Sequence, residues 1–358
     1  FKQKTAYEIP LRLVGSEMCI RDRYQIMFNK KLAIVGASGA VGRVFLELLD
    51  EMYPGNKNLF LVASKRSAGN SINCGKQEFI IEDIENFDFS KVDIAFFSAG
   101  AETAKKYAPI AVSQGCTVID NSSQFRTDVE KLLIVPEVNA QDLKNFKSPG
   151  IISNPNCSTA QLVVALKPID DLFQIERVDV ASYQSVSGTG KEGIDELIEQ
   201  TKNFLDNKEI SPKVYGAQIA FNVIPAGDIL ENNYTNEEMK MSFETNKILS
   251  KDIKLSASCV RVPVLYGHSL AVHVETKKEI ELDLLVSQIK NQKGLDYFDP
   301  KDFISPNVVD HAEGKNPVSV GRLRLDLWNS NRVNFWVVAD NLRKGAALNS
   351  LQILDELL

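Results

Sequence analysis

No C-x-x-C pair occurs in this chain, and histidine is scarce, with three among 358 residues. The five cysteines, Cys19, Cys74, Cys116, Cys157 and Cys259, are odd in number, and all but Cys259 lie far along the chain from His268, His273 and His311. Structural zinc needs clustered ligands, so no metal is expected. A disulfide framework is equally foreign to a chain this long, and the thiols read as those of a reducing cytoplasm. Also missing is any apolar run near the roughly 18–20 residues of a membrane helix. Basic residues do not predominate: Lys+Arg 41 against Asp+Glu 47 leaves a net charge of −6, which argues against a nucleic-acid binder. Gly and Pro, 20 and 13 residues, are too few for a low-complexity chain. What is present is apolar. Hydrophobic residues make up 44% of the chain, enough for the cores of two domains, and small-molecule chemistry is the default.

Residues 1–26 stand apart. They show no sustained helical or strand period and lack a secretory h-region and cleavage site. The stretch RLVGSEMCIRDR reads like translated sequencing-adapter sequence, so 1–26 is taken as a non-native extension with the natural start at Met27. From Lys31 a β-α-β alternation begins: KLAIVGA, LFLVAS, VDIAFFSA, CTVIDNS and LLIVPEV as strands, with helices between several of them. That pattern predicts a doubly wound, mostly parallel α/β sheet of the Rossmann type over 27–155. Over 156–337 longer strand-like segments alternate with polar helices, which predicts an α+β domain with a mixed or antiparallel sheet. NLRKGAALNSLQILDELL reads as one helix, so 338–358 is expected to return to the first domain.

Gly36, Gly39 and Gly42 follow the first strand and precede a helix. Glycines there let the backbone approach a pyrophosphate, whose charge the helix N-terminus favours. The alternative is a tight turn with close helix–strand packing. After the second strand, where an NAD binder places a carboxylate, stand Ser64-Lys65-Arg66-Ser67. A cation with hydroxyls suits the 2′-phosphate of NADP, a solvated basic loop being the alternative. Cys157 follows Asn154-Pro155-Asn156 and opens an apolar helical run. At a helix start the macrodipole and free N–H groups should favour thiolate and can hold an oxyanion.

SNPNCSTAQLVVALKP, with GASGAVG, SYQSVSGTGKEG, FNVIPAGD, EEMKMSFETNKI, SCVRVPVLYGHS and VVADNLRKGAALN in order, resembles the aspartate-β-semialdehyde dehydrogenases. These bacterial enzymes use NADP and share a fold with glyceraldehyde-3-phosphate dehydrogenase. The resemblance implies reductive dephosphorylation of aspartyl phosphate to aspartate semialdehyde through a cysteine thioester, towards lysine, threonine and methionine. It makes Cys157 the nucleophile, His268 the general acid/base and Gln184 the residue that orients the substrate. Arg261 would grip the α-carboxylate, Glu237 the amino group, and Arg126 with Lys240 inorganic phosphate; Asn156 joins the substrate contacts. Gly36, Ser38, Gly39, Ala40, Val41, Ser64, Arg66, Ser67, Ser187, Gly188 and Asn341 would hold NADP. It also implies a cytoplasmic homodimer, with dimerisation in 156–337.

Apart from the resemblance, other readings stay open. His268, in a glycine loop after a strand, is equally a satisfied structural histidine. Arg261 could form an internal salt bridge, Gln184 could serve turn bonding, and Arg126 reads as solvated. Glu237 and Lys240, three apart on a helix, could be an exposed ion pair; the functional reading splits them between substrate and phosphate. Two other functions remain: N-acetyl-γ-glutamyl-phosphate reductase, disfavoured by the charged Glu237, and an NADP-binding thiol redox sensor.

Overall fold

Leu32–Val35 (β1) is four consecutive buried aliphatic residues, as a strand covered on both faces requires. The computed structural model describes residues 29–302 and 304–358, so the 1–26 extension and Met27 lie outside the described residues. Around β1 stand β2 (Leu59–Ala63), β3 (Ser71–Cys74), β4 (Gln77–Asp83), β5 (Ile94–Phe97), β6 (Thr117–Asp120), β7 (Leu132–Leu133) and β8 (Ile151–Ser153). Their order is β3-β4-β2-β1-β5-β6-β8-β7, and every pairing is parallel except β3 with β4. Alternate residues of β1 feed opposite cores. Leu32 and Ile34 pack with Phe45 and Leu48 of α1 (Ala40–Met52), while Ala33 and Val35 pack with Ala104 and Ala108 of α2 (Ala101–Ser113). The sheet is therefore doubly wound, and its order reverses at β1, where ligands bind in such folds.

The second sheet contains β9 (Ile175–Gln184), β10 (Ile224–Pro225), β11 (Lys254–Arg261), β12 (His268–Thr276), β13 (Leu295–Phe298), β14 (Val318–Leu325) and β15 (Arg332–Ala339). It is mixed, in the order β10-β11-β9-β12-β15-β14-β13. Burial along β12 alternates, so one face is core and the other more open. The core face is covered by α3 (Cys157–Phe173), α4 (Asn236–Leu249) and α5 (Leu282–Asn291). On the opposite face Tyr183 and Trp336 lie with ring centroids 5.6 Å apart.

Two sequence expectations need correction. LLIVPEV gives a strand of only Leu132–Leu133, because Pro136 starts a helical turn at Pro136–Asn139. The C-terminal segment is not one helix from Asn341. Arg343–Ala347 form a π turn, and α6 (Leu348–Leu357) then buries Leu348, Leu351, Ile353 and Leu354 against the β1 and α1 core.

Candidate active site

The start of α3 faces the ends of three strands. Asn156 caps α3, its Oδ1 accepting the Ser158 N–H at 2.9 Å, which leaves Cys157 as the first helical residue. In the second sheet Arg261 pairs in register with Gln184 across the parallel β11 and β9, and Ser269 pairs with Tyr183 across β12 and β9. This register gathers Gln184, Arg261 and His268 at one end of the sheet. Cys157 Sγ lies 3.1 Å from His268 Nε2.

His268 is the first residue of β12 and fully buried, rather than a loop residue. Its Nδ1 accepts the Ser185 backbone N–H at 3.0 Å. An amide proton aimed at Nδ1 requires a lone pair there, which assigns the neutral ring's proton to Nε2, facing sulfur. Burial, reinforced by the nearby Arg261 charge, pushes the imidazole down to about 3. The thiol also departs from expectation. Burial and the Glu237 carboxylate push Cys157 up to about 11, against the pull of Arg261 and Arg126. The helix start was expected to favour thiolate, but removing the sulfur from water costs more than the helix end returns. With no ligand bound the pair is neutral.

Arg261 forms no ion pair among the described residues, so the internal salt bridge is not what it makes. Its Nη1 donates to the Ser185 carbonyl at 2.8 Å, and the guanidinium lies 5.9 Å from the Tyr215 ring centroid. Gln184 is buried, and its amide donates to Ser158 Oγ at 3.1 Å and Ser182 Oγ at 3.3 Å, tying β9 to the start of α3. Glu237 and Lys240 on α4 are paired with each other, but not as an exposed surface pair. They meet at 2.5 Å in a half-buried position, and Glu237 Oε2 also accepts Asn156 Nδ2–H at 2.9 Å. Arg126 is buried rather than solvated. Its Nη2 donates to the Asn121 carbonyl at 2.7 Å and its Nη1 to Glu244 Oε1 at 3.3 Å.

At the other end of the site the first sheet offers a cradle for a dinucleotide. Gly36 has φ +91°, and a Cβ there would sit 2.9 Å from the Ser98 carbonyl carbon. A Cβ on Gly42 would come 2.4 Å from the Gly36 carbonyl oxygen, so this glycine sets the helix–strand approach. Gly39 is the N-cap of α1, no side chain among the described residues caps that end, and its first turn, which begins with Ala40 and Val41, carries no acid. These features fit a pyrophosphate. Ser38 Oγ donates to Ser67 Oγ at 3.2 Å, so the glycine loop and the turn carrying exposed Ser64 and Arg66 are neighbours. Asn341 Oδ1 accepts the Gly267 N–H at 2.8 Å and the Ser185 and Ser187 hydroxyls at 3.1 Å each. A Cβ on Gly188 would lie 3.0 Å from Arg261 Nη1 and 3.4 Å from His268 Cε1. Ser187, Gly188 and Asn341 therefore border the Cys157–His268 pair.

Three residues of the site escaped the sequence reading. Ser185 orients the imidazole. Gly345, in the π turn, leaves no room for a side chain, since its Cβ would lie 2.6 Å from Cys157 Cβ. Glu244 is fully buried, and its Oε2 accepts the Asn156 N–H at 2.6 Å. Its signal was available: seven residues after Glu237, it shares that helix face.

The chain matches two family models: "Semialdehyde dehydrogenase, NAD binding domain" over residues 31–146 and "Semialdehyde dehydrogenase, dimerisation domain" over 166–344. It is 47% identical to an aspartate-semialdehyde dehydrogenase of Shewanella sp. over 329 residues, covering 91% of this chain and 97% of the relative. Aspartate-semialdehyde dehydrogenase 2 of Vibrio cholerae is 48% identical, over 90% of this chain and 96% of its own length. A crystal structure of aspartate semialdehyde dehydrogenase II from Vibrio cholerae, complexed with ASA, superposes with a TM-score of 0.89 at 46% identity. That match covers 92% of this chain and 98% of the other.

Proposed function

The chain belongs to the aspartate-semialdehyde dehydrogenase family, and on that premise we propose how its residues divide the work. It is an oxidoreductase with a nicotinamide-dinucleotide domain. The observation that carries the proposal is the 3.1 Å contact between Cys157 Sγ and His268 Nε2 at a helix N-terminus. Cys157 gives its proton to solvent as substrate binds and attacks as the thiolate, forming a thioester with the acyl group of aspartyl phosphate while phosphate leaves toward Arg126 and Lys240. The nicotinamide, when bound, supplies the hydride. The oxyanion of the resulting thiohemiacetal is met by N–H groups at the start of α3 and by His268 Nε2–H, and collapse returns the cysteine. Arg261, which forms no ion pair among the described residues, holds the substrate α-carboxylate bidentately, while Gln184 and Asn156 line the acyl group. The substrate ammonium pairs with Glu237. That pairing also activates the nucleophile, because it offsets the carboxylate charge that pushes the thiol up.

NADP is the proposed cofactor, with its 2′-phosphate on Arg66, Ser64 and Ser67. Arg66→Asp is expected to lower the NADP-over-NAD ratio of kcat/KM by roughly ten- to a hundredfold, the worth of one charged hydrogen bond. An unchanged ratio would place that turn in solvent. Phosphate is the proposed co-substrate of the oxidative direction. Lys240→Ala should raise the phosphate KM by roughly ten- to a hundredfold while the NADP constant barely moves. Wild-type phosphate affinity in both Lys240→Ala and Arg126→Ala would refute the assignment. A cytoplasmic homodimer is proposed; the matched dimerisation domain and the open sheet face carrying Tyr183 and Trp336 support it. No helix among the described residues is long and apolar enough to cross a membrane. A steady-state assay with aspartate semialdehyde, phosphate and NADP tests the whole reading. It separates this function from an N-acetyl-γ-glutamyl-phosphate reductase, which would need an acylated substrate, and from a redox sensor, which would not turn over.

A further inference from the structure

The fully buried carboxylate of Glu244 has no part in the chemistry above, yet it touches both halves of the site. One oxygen accepts the Asn156 backbone N–H at 2.6 Å, immediately before the nucleophile. The other lies 3.3 Å from Arg126 Nη1. It is the one ion-pair partner of Arg126 among the described residues. Asp120 lies close enough for the Arg126 charge to act on it, but its oxygens are taken by the Ser122 N–H and hydroxyl at 3.0 and 2.7 Å. Arg126 itself is incompletely satisfied. Its Nε–H is buried and has no hydrogen-bond partner among the described residues, although Nη1 and Nη2 are engaged. A buried guanidinium with an idle donor is built for a further acceptor, since leaving that donor unpaired costs free energy.

We propose that Glu244 is a positioning residue that tunes the phosphate site, holding Arg126 in place while cancelling part of its charge, and pinning Asn156 with the same carboxylate. The inference rests on Arg126 serving phosphate. Its physical basis is that an anion arriving at Arg126 meets the negative charge of Glu244 in a poorly screened interior. Phosphate is then held loosely enough to leave after each reductive turnover. Burial also holds the Glu244 carboxyl above the usual carboxylate range, while Arg126 and the Asn156 N–H oppose that shift. Lys247, one turn further along α4, donates to the Arg126 and Asp128 carbonyls; it feels the Glu244 charge but forms no ion pair with it among the described residues.

The test uses Glu244→Gln, whose amide oxygen can still accept the Asn156 N–H but carries no charge. A residue that only supports the fold would weaken every ligand on substitution. Here the phosphate KM should instead fall, by roughly three- to tenfold, with the KM for aspartate semialdehyde and the cofactor constant unchanged. Titration calorimetry with inorganic phosphate should show the same tightening. Glu244→Asp, which keeps the charge, should return phosphate affinity toward wild type, and it serves as the second variant should the glutamine form fold poorly. An unchanged or raised phosphate KM in Glu244→Gln, with Lys240→Ala still weakening phosphate, overturns the role of Glu244 alone. Wild-type phosphate affinity in Lys240→Ala and Arg126→Ala overturns the phosphate site beneath it.

Discussion

Cys157→Ser is expected to cut turnover in both directions by roughly a thousandfold or more while cofactor binding stays near wild type. A serine hydroxyl is a far weaker nucleophile, and nothing beside it acts as a strong base, because His268 presents a proton and not a lone pair to that position. Burst titration with aspartyl phosphate should show no acyl-enzyme. Near-normal turnover in the purified variant would end the covalent reading. The same site predicts how the empty enzyme reacts with iodoacetamide. A thiol pushed up to about 11 is ionised to about one part in ten thousand at pH 7. Alkylation of Cys157, measured as the difference from Cys157→Ser, should be slow at neutral pH and still rising beyond pH 9. A plateau by pH 8 would show that the helix end outweighs burial after all.

The second large effect lies behind Cys157. Lys344 and Glu137 form an ion pair in which each side chain is 1% exposed, and Lys344 Nζ also donates to Asn349 Oδ1 and Gln352 Oε1 at 2.7 and 2.8 Å. Lys344→Met is expected to destabilise the protein by about 3–5 kcal/mol, since it strands a buried carboxylate. Activity should fall as well, because Lys344 precedes Gly345, which packs on Cys157. The pH dependence gives the sign. Burial pushes the Glu137 carboxyl up, but the Lys344 charge and hydrogen bond more than offset this and hold it below the ordinary value. A lowered folded-state value contributes stability above the unfolded value of 4.5, which is lost as the solution is acidified. Without Lys344 the shift reverses, and the variant should recover part of its deficit as Glu137 takes a proton. Thermal unfolding of both proteins at pH 5 and pH 8 measures this. A deficit that is equal at the two pH values, or smaller than about 1 kcal/mol, would mean that water reaches Glu137. Adding Glu137→Gln to Lys344→Met should restore much of the loss.

What could be read without coordinates was local. The strand–glycine–helix order at Gly36, the SKRS turn and the helix beginning at Cys157 each depend on a few consecutive residues. Propensity, capping and glycine freedom act at that range, so both sheets' characters and the place of Cys157 at a helix start were legible. Resemblance singled out His268, Arg261 and Arg126, whose own sequence surroundings had left a structural histidine, an internal salt bridge and a solvated cation open. Tertiary structure decided the rest. Cys157 and His268 are 111 residues apart, and only the register of β9, β11 and β12 brings the imidazole to the sulfur. The glycine at 345 reads as an ordinary helix weakness until the π turn sets it against Cys157. Charge state was the least legible property. A cap-position cysteine looks like a thiolate in one dimension, yet burial and Glu237 hold it neutral, because desolvation and Coulomb energies depend on what folds around a group and not on its neighbours in sequence.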